Sequence, residues 1–337
     1  MTKRWRGLSA AVETGGEMII VTGGAGFIGS NLIEALNADG VTDLMAVDRH
    51  GENFRNLSDL RFADFISPEY FTRTIERDSL PKSIEAILHQ GACSDTTCDD
   101  ISYMMENNFT FSKTVLHFAI ARKIPFVYAS SAAVYGASQV FALSPENERP
   151  LNLYGRSKLE FDNHIRSAIA SSESTVVGLR YFNVYGPREA HKNKMASMPY
   201  QLYRQLKQTG RARLFKGRDG YADGEQRRDF VFVDDVVRVN LAFAHGPVRR
   251  GIFNVGTGQA RSFNDVANTL IRQIGAGAID YVPFPESLVG RYQSFTQADL
   301  IELGRAGYGE NFTSLDDGIA KSVSVWNREN RPARLTD

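Results

Sequence analysis

The sequence predicts an α/β fold, a doubly wound parallel sheet carrying a smaller carboxy-terminal lobe. Three observations predict it. From Met18 onward, short apolar runs alternate with amphipathic helical stretches, the pattern of parallel strands joined by helical crossovers. A glycine-rich turn joins the first of these strands to the first helix. After Tyr185 the alternation loosens into loops rich in Gly, Arg and Lys, which suits a lobe laid over the carboxyl ends of the strands, where open α/β sheets bind ligands.

Taken in order, Met18–Val21 reads as a buried strand, Phe27–Leu36 as a helix stopped by Gly40, and Leu44–Val47 as a second strand closing at Asp48. Ala86–His89 and Pro125–Ala129 are further strands. Between them, a helix from about Tyr103 to Lys123 repeats Met104, Phe111, Val115 and Phe118 at helical spacing, which should face the sheet. Tyr154 opens a helix running to about Ala170, and Thr175–Leu179 is a later strand.

Composition narrows the class. The 337 residues suit roughly two domains, and 42% hydrophobic residues exclude wholesale disorder. The 39 Lys plus Arg cancel the 39 Asp plus Glu, with no long basic run, so neither nucleic acid nor an anionic membrane is the expected main partner. Cys93 and Cys98 are the two cysteines; they cannot form a disulfide scaffold and lack the paired spacing of a zinc site, so no metal is expected. No apolar run approaches the roughly 18–20 residues of a membrane span. The start is basic without an apolar centre, unlike a secretory signal. Residues 1–17 are expected to be a flexible tail, and the protein cytoplasmic.

The turn between the first strand and helix places glycines at Gly23, Gly26 and Gly29. The first permits a tight turn, the second lets a pyrophosphate approach the backbone, and the third lets helix and strand pack closely. The pyrophosphate would rest on free amides at the helix start. With Asp48 lying 19 residues beyond Gly29, the strand, turn, helix and acidic residue agree on a Rossmann-type dinucleotide site. Asp48 suggests NAD, through the adenosine ribose; Arg49 suggests NADP, through a 2′-phosphate. The two readings compete. Residues 18–185 form the expected dinucleotide-binding domain and 186–337 mainly a substrate-binding lobe, with segments around 228–258 returning to the first domain.

Tyr154 and Lys158 stand four residues apart, one above the other on a helix face. A phenol has a pKa near 10, and a neighbouring ammonium together with an oxidised nicotinamide would favour the phenolate. A shift of about three units corresponds to roughly 4 kcal/mol. Tyr154 could then exchange a proton with a substrate hydroxyl. Ser130 and Ser131 end the preceding strand, and Ser131 is the favoured partner for the same oxygen.

These residues, with His89-Gln90-Gly91-Ala92, Ser130 to Gly136, Arg180 to Pro187 and Arg228 to Val231, resemble the extended, nucleotide-sugar-modifying branch of the short-chain dehydrogenase/reductase superfamily. Where sugar 4,6-dehydratases of that branch carry an acidic pair, Ala132 and Ala133 stand here, which tilts the reading toward an epimerase. Four further blocks, Gly91 to Thr96, Tyr103 to Asn108, Gly186 to Lys192 and Gly290 to Asp299, are similar to the ADP-glyceromanno-heptose 6-epimerase family of lipopolysaccharide inner-core synthesis. The resemblance implies an ADP-heptose substrate, oxidised at C6 with Tyr154 assisting, and hydride returned from bound NADP with inverted stereochemistry. Lys192 matches the position of the second acid/base. Ser131, Asn183, Lys194, Gln201, Phe215 to Arg218 (Lys216 and Gly217 included), Arg228 and Tyr292 would contact substrate. Phe27, Ile28, Gln90, Gly91, Ala92, Cys93, Ser94, Asn107, Lys158 and Val184 would line the cofactor site. A homo-oligomer is implied, with a pentamer as the family's example. Asn53 and Pro68 stand near the places of two 2′-phosphate lysines, Lys194 and Gln201 differ from the family's residues, and Gly217 to Arg228 is longer. The competing readings are a UDP-hexose 4-epimerase and a non-catalytic nucleotide-sensing protein of the same fold.

Overall fold

A computed structural model describes residues 17–286 and 292–329; the expected tail (save residue 17), Gly290 and Arg291 lie outside the described residues. The chain runs β1 (Met18–Thr22), α1 (Phe27–Ala38), β2 (Leu44–Val47), β3 (Asp64–Ile66), α2 (Pro68–Glu76), β4 (Ile84–His89), α3 (Ile101–Met105), α4 (Phe111–Ala121), β5 (Phe126–Ser131), α5 (Leu153–Ala168), β6 (Val176–Tyr181) and β7 (Asn183–Tyr185). There follow α6 (Met198–Thr209), β8 (Arg211–Phe215), β9 (Arg227–Phe232), α7 (Val233–His245), β10 (Arg250–Val255), β11 (Ala260–Ser262), α8 (Phe263–Ile274), β12 (Ala278–Val282), α9 (Ile301–Arg305) and α10 (Leu315–Glu329).

Seven strands form one sheet in the order β10-β6-β5-β4-β1-β2-β3, with every pairing parallel. The reversal of direction at β1 opens a crevice at its carboxyl end. β1, β2 and β6 are almost wholly buried, which explains their mainly apolar residues: helices cover both faces of a parallel sheet. One core layer packs α1 and α7 against the sheet through Leu32, Ile33, Val236 and Phe243. The other packs Val115, Leu116, Phe161 and Ile165 on its opposite face. The smaller lobe gathers α6, α8 and α10 around Trp326 and Tyr203, with β11-β9-β7 and β12-β8 as small sheets.

The expected helix from Tyr103 to Lys123 begins earlier, at Ile101, and is interrupted by a π-helical turn at Glu106–Thr110. It stops because Arg122 and then Lys123, at φ +56°, leave helical geometry. Met104, Val115 and Phe118 are buried as expected, while Phe111 is half-buried. The strand expected at 125–129 continues to Ser131, because Ser130 and Ser131 keep pairing with Arg180 and Tyr181. β3 and α2 have no counterpart in the sequence reading; β3 is three residues long and α2 carries a single buried residue, Phe71. No helix among the described residues is long and apolar enough to cross a membrane.

Candidate active site

A cleft of about 850 Å³ opens along the carboxyl ends of β1, β4 and β5. Its floor is the turn between β1 and α1. Gly23 adopts φ +65° there, a conformation costly for side-chain-bearing residues. A Cβ placed on Gly29 would come within 2.1 Å of the Gly23 carbonyl oxygen, so the helix can press onto the turn only with glycine at that place. No described side chain caps α1, and the N–H groups of its first turn are therefore available to an anion. This cradle fits the pyrophosphate of a dinucleotide.

The adenosine end is more specific. Asp48 Oδ2 accepts from the Ala25 N–H at 3.0 Å and from Asn53 Nδ2 at 3.3 Å, while Oδ1 accepts from the Arg49 N–H at 2.8 Å. Burial raises the Asp48 carboxyl above its ordinary value, and these donors oppose it. Beside it the exposed Arg49 guanidinium donates to Glu69 Oε1 at 2.7 Å and to Asn107 Oδ1 at 2.9 Å. Asn53 and Pro68 also line the cleft here.

The reaction end is mounted on α5, β5 and β6. Asn152 caps α5 by accepting from the Gly155 N–H at 2.8 Å, which starts the helix where Tyr154 and Lys158 share a face. Lys158 Nζ lies 6.0 Å from the Tyr154 ring centre and donates to the Ala129 carbonyl at 2.7 Å. Burial brings its pKa down to about 8, against the pull of Asp162. Ser130 and Ser131 divide their roles: Ser130 Oγ donates inward to Asp162 at 2.9 Å, whereas Ser131 Oγ accepts from the Ala133 N–H at 3.1 Å. Asp162 also accepts from Tyr128 Oη at 2.8 Å and Arg180 Nε at 2.9 Å, and Arg180 bonds Glu148 at 2.5 Å. This buried network ties α5 to both strands directly beneath the Tyr/Lys turn.

The expected acidic phenol is not a property of the protein chain by itself. Burial holds the Tyr154 phenol above its ordinary value, opposed by the Ser131 hydroxyl. Desolvation is the largest cause, and the Ser131 hydrogen bond does not offset it.

Lys192 lines the same cleft from the loop after β7. Its Nζ sits 5.7 Å from the Phe27 ring centre. Desolvation lowers its pKa and Glu189 opposes. The neighbouring His191 Nδ1 is 3.0 Å from Asn56 Nδ2, a structural tie, with burial moving the imidazole down to about 4.

The cleft brings together Gly23, Gly26, Phe27, Ile28, Gly29, Asp48, Arg49, Gln90, Gly91, Ala92, Cys93, Ser94, Asn107, Ser131, Tyr154, Lys158, Asn183, Val184 and Lys192. Gln90 turns partly away, bonding Tyr181 Oη at 3.1 Å and Asn240 at 3.0 Å. Lys194 and Gln201 do not line the cleft: Lys194 Nζ reaches Thr97 Oγ1 at 3.3 Å and Gln201 Nε2 backs the loop at the Ala196 carbonyl, 2.6 Å away. Phe215, Arg218, Arg228 and Tyr292 instead gather on the smaller lobe. Tyr292 stands 6.4 Å from Phe215 and 5.2 Å from Phe284 between ring centres, Arg228 lies 4.7 Å from the Tyr292 ring centre, and Arg218 5.0 Å from that of Phe284. Lys216 and Gly217 follow at the end of β8, their N–H groups held by Val282 O at 2.9 Å and Asp223 Oδ1 at 2.7 Å.

Sequence reasoning missed Asn108. From the π-helical turn its Oδ1 accepts from the Cys93 N–H at 2.7 Å, and its Nδ2 donates to Ser157 Oγ at 2.9 Å, joining the cofactor-side loop to α5. It also missed Glu189. A lone polar residue inside an apolar helical stripe is the signal that could have drawn attention to Asn108; for Glu189 only its place beside Lys192 was available.

Residues 19–256 match the model of the NAD dependent epimerase/dehydratase family. The ADP-L-glycero-D-manno-heptose-6-epimerase of Alkalilimnicola ehrlichii is 54% identical over 304 residues, covering 90% of this chain and 95% of that one. The crystal structure of the Helicobacter pylori ADP-L-glycero-D-manno-heptose-6-epimerase is 32% identical, with a TM-score of 0.79 over 91% of this chain and 95% of that chain. The UDP-glucose 4-epimerase of Thermotoga maritima, solved with UDP-glucose, is 27% identical, with a TM-score of 0.77 over 93% of this chain and 100% of that chain.

Proposed function

The chain belongs to the NAD dependent epimerase/dehydratase family, and on that premise we propose that it epimerises an ADP-activated heptose. The reaction interconverts ADP-D-glycero-β-D-manno-heptose and its L-glycero epimer at C6, in lipopolysaccharide inner-core heptose synthesis. What supports the reading is that Tyr154, on α5, and Lys192, on the loop after β7, line one cleft. Inverting a carbinol centre through a ketone exposes two faces in turn, and a proton must move on each. Ser131 donates toward the reacting oxygen, Tyr154 exchanges its proton on one face, and Lys192 serves the other, its pKa lowered toward the working range by desolvation. Ala132 and Ala133 follow Ser131, so that stretch supplies no carboxylate for elimination of water.

When bound, NADP supplies the hydride acceptor and donor, and its positive nicotinamide favours the Tyr154 phenolate that burial opposes. The first turn of α1 would hold its pyrophosphate. Asp48 is turned into the glycine turn, which leaves Arg49 as the group for a 2′-phosphate; that phosphate must displace Glu69 from the guanidinium. NAD is the competing reading, since Glu69 already neutralises Arg49. The aromatic and arginine cluster of Phe215, Arg218, Arg228 and Tyr292 would take the ADP of the substrate, with Asn183 at the sugar. The working form is a homo-oligomer.

Incubation of the pure protein with the D-glycero substrate, followed by NMR of the products, tests the assignment: the L-glycero epimer should grow to equilibrium without added cofactor if NADP is retained. No epimer under cofactor-replete conditions would refute it, and turnover of UDP-glucose in its place would establish the 4-epimerase alternative. Identifying the dinucleotide released on denaturation separates NADP from NAD.

A further inference from the structure

We propose that Glu189 is a positioning residue for Lys192, its buried carboxylate clasping the two ends of the loop at 186–197 so that the lysine stays aimed into the cleft. The proposal rests on the reading of Lys192 as the second acid/base. Glu189 is fully buried. Its Oε1 accepts from the Gly186 N–H at 3.0 Å and the Ser197 hydroxyl at 2.8 Å, and its Oε2 from the Ser197 N–H at 2.6 Å. One side chain thereby bonds both ends of the loop, and its own carbonyl accepts from the Lys192 N–H at 3.0 Å.

The backbone between these anchors is not relaxed. Arg188 takes φ +67°, and Asn193, next to Lys192, takes φ +48° with ψ −115°. Non-glycine residues hold such conformations only where the surroundings over-determine them, and they concentrate at functional sites. The entry is fixed from outside: Arg188 bonds the Asn56 carbonyl at 2.6 Å and Asp59 at 2.8 Å, and the Trp326 indole donates to the Gly186 carbonyl at 3.1 Å. Glu189 carries that fixity across to the exit, so the strained segment bearing Lys192 is spanned rather than hinged.

The chemistry of the clasp calls for a carboxylate. Three donors converge on two oxygens; a glutamine would turn an NH₂ toward at least one N–H or O–H donor and lose that bond. Burial raises the carboxyl to about 7, opposed by the three donors and by Lys192. Near neutral pH the ionised form therefore also attracts the Lys192 ammonium along the loop's inner side.

A double-mutant cycle tests this with Glu189→Gln and Lys192→Met, using the intact protein with its cofactor. Glu189→Gln alone should lower kcat by about 10- to 100-fold, as expected for a displaced catalytic group. KM for the sugar nucleotide and the amount of retained dinucleotide should stay within about threefold. In the Lys192→Met background, Glu189→Gln should cost nothing further, because the group it positions is gone. The same fold-loss in both backgrounds, or wild-type kcat in Glu189→Gln, would overturn the clasp. Should Glu189→Gln fail to accumulate as folded protein, Glu189→Asp, which keeps the charge but is too short to span both ends, enters the same cycle with the same expectations. A Lys192→Met protein at wild-type rate would instead overturn the underlying reading of Lys192, and the clasp with it.

Discussion

Tyr154 and Lys158 stand one turn apart on α5, bolted to β5 and β6 by Asp162 and Arg180. Lys192 lines the same cleft from a loop held by bonds of Glu189 and Arg188. The helical wall inherits its geometry from the periodicity of the helix and from bonds in the core of the sheet. The loop wall inherits nothing from periodicity; its constraints are individual side-chain bonds, the Glu189 ones within the loop and the Arg188 ones to distant residues. Under the proposed mechanism, one cleft would pair a fixed acid/base with one that a few side chains could release, and the difference can be probed wall by wall.

Replacing Tyr154 by Phe should give the largest effect, a fall in turnover of about 10²–10⁴-fold with cofactor content unchanged, read by NMR of the epimers. A non-catalytic nucleotide sensor would show no change in its function. Next comes the clamp of the helical wall. Asp162→Asn takes one of two buried carboxylates from Arg180 and leaves it Glu148, so the loss should fall at the low end of the about 3–5 kcal/mol that breaking a buried pair costs, measurable as a drop in the urea midpoint. Arg188→Met on the loop wall should cost only about 1 kcal/mol, since its partners Glu34 and Asp59 are 52% and 64% exposed. Equal losses would erase the contrast between the walls.

The two walls also titrate in opposite senses. The folded pKa of Glu189, about 7, lies above its ordinary 4.5, so the native state holds the extra proton in that window. Its contribution is fully present below pH 4.5 and disappears as pH rises through 7. Lys158 falls from 10.5 to about 8; the unfolded chain holds the extra proton between these values, and stability rises with pH across them. Each slope should approach about 1.4 kcal/mol per pH unit, and Glu189→Gln and Lys158→Met should flatten only their own window in pH-dependent urea titrations. The smallest expected effect is at the cleft's far end: Arg49→Ala should weaken NADP by about tenfold, about 1.4 kcal/mol, and leave NAD unchanged in equilibrium binding.

The same contrast explains what could be read from the residues alone. Gly23, Gly26 and Gly29, the strands around them and the Tyr154/Lys158 pair were legible because their meaning lies within one turn or one helix. What separates the two serines, Ser130 donating to Asp162 and Ser131 accepting from the Ala133 N–H, is set by the folded strand end and not by their order in the sequence. Asp162 itself was invisible: its partner Tyr128 is 34 positions away, and no local pattern marks it. Asn108 depends on a π-helical turn that apolar spacing does not disclose. That burial raises the Tyr154 phenol in the protein alone could not be read from the residues, because desolvation is a property of the folded cleft. Phe215, Arg228 and Tyr292 do gather, but on the smaller lobe rather than along the main cleft, a separation that only the tertiary arrangement sets.

The place of β10 at the rim of the large sheet has a practical corollary. This strand arrives only after the polypeptide has visited the smaller lobe, and it shields β6, every residue of which is buried. A fragment ended at residue 185 would lack both β10 and α7, baring a row of unpaired amides along an apolar ribbon, an invitation to self-association. Halves of this molecule should therefore be insoluble when expressed apart, and the nascent chain must wait for roughly its 255th residue before the large sheet can be completed.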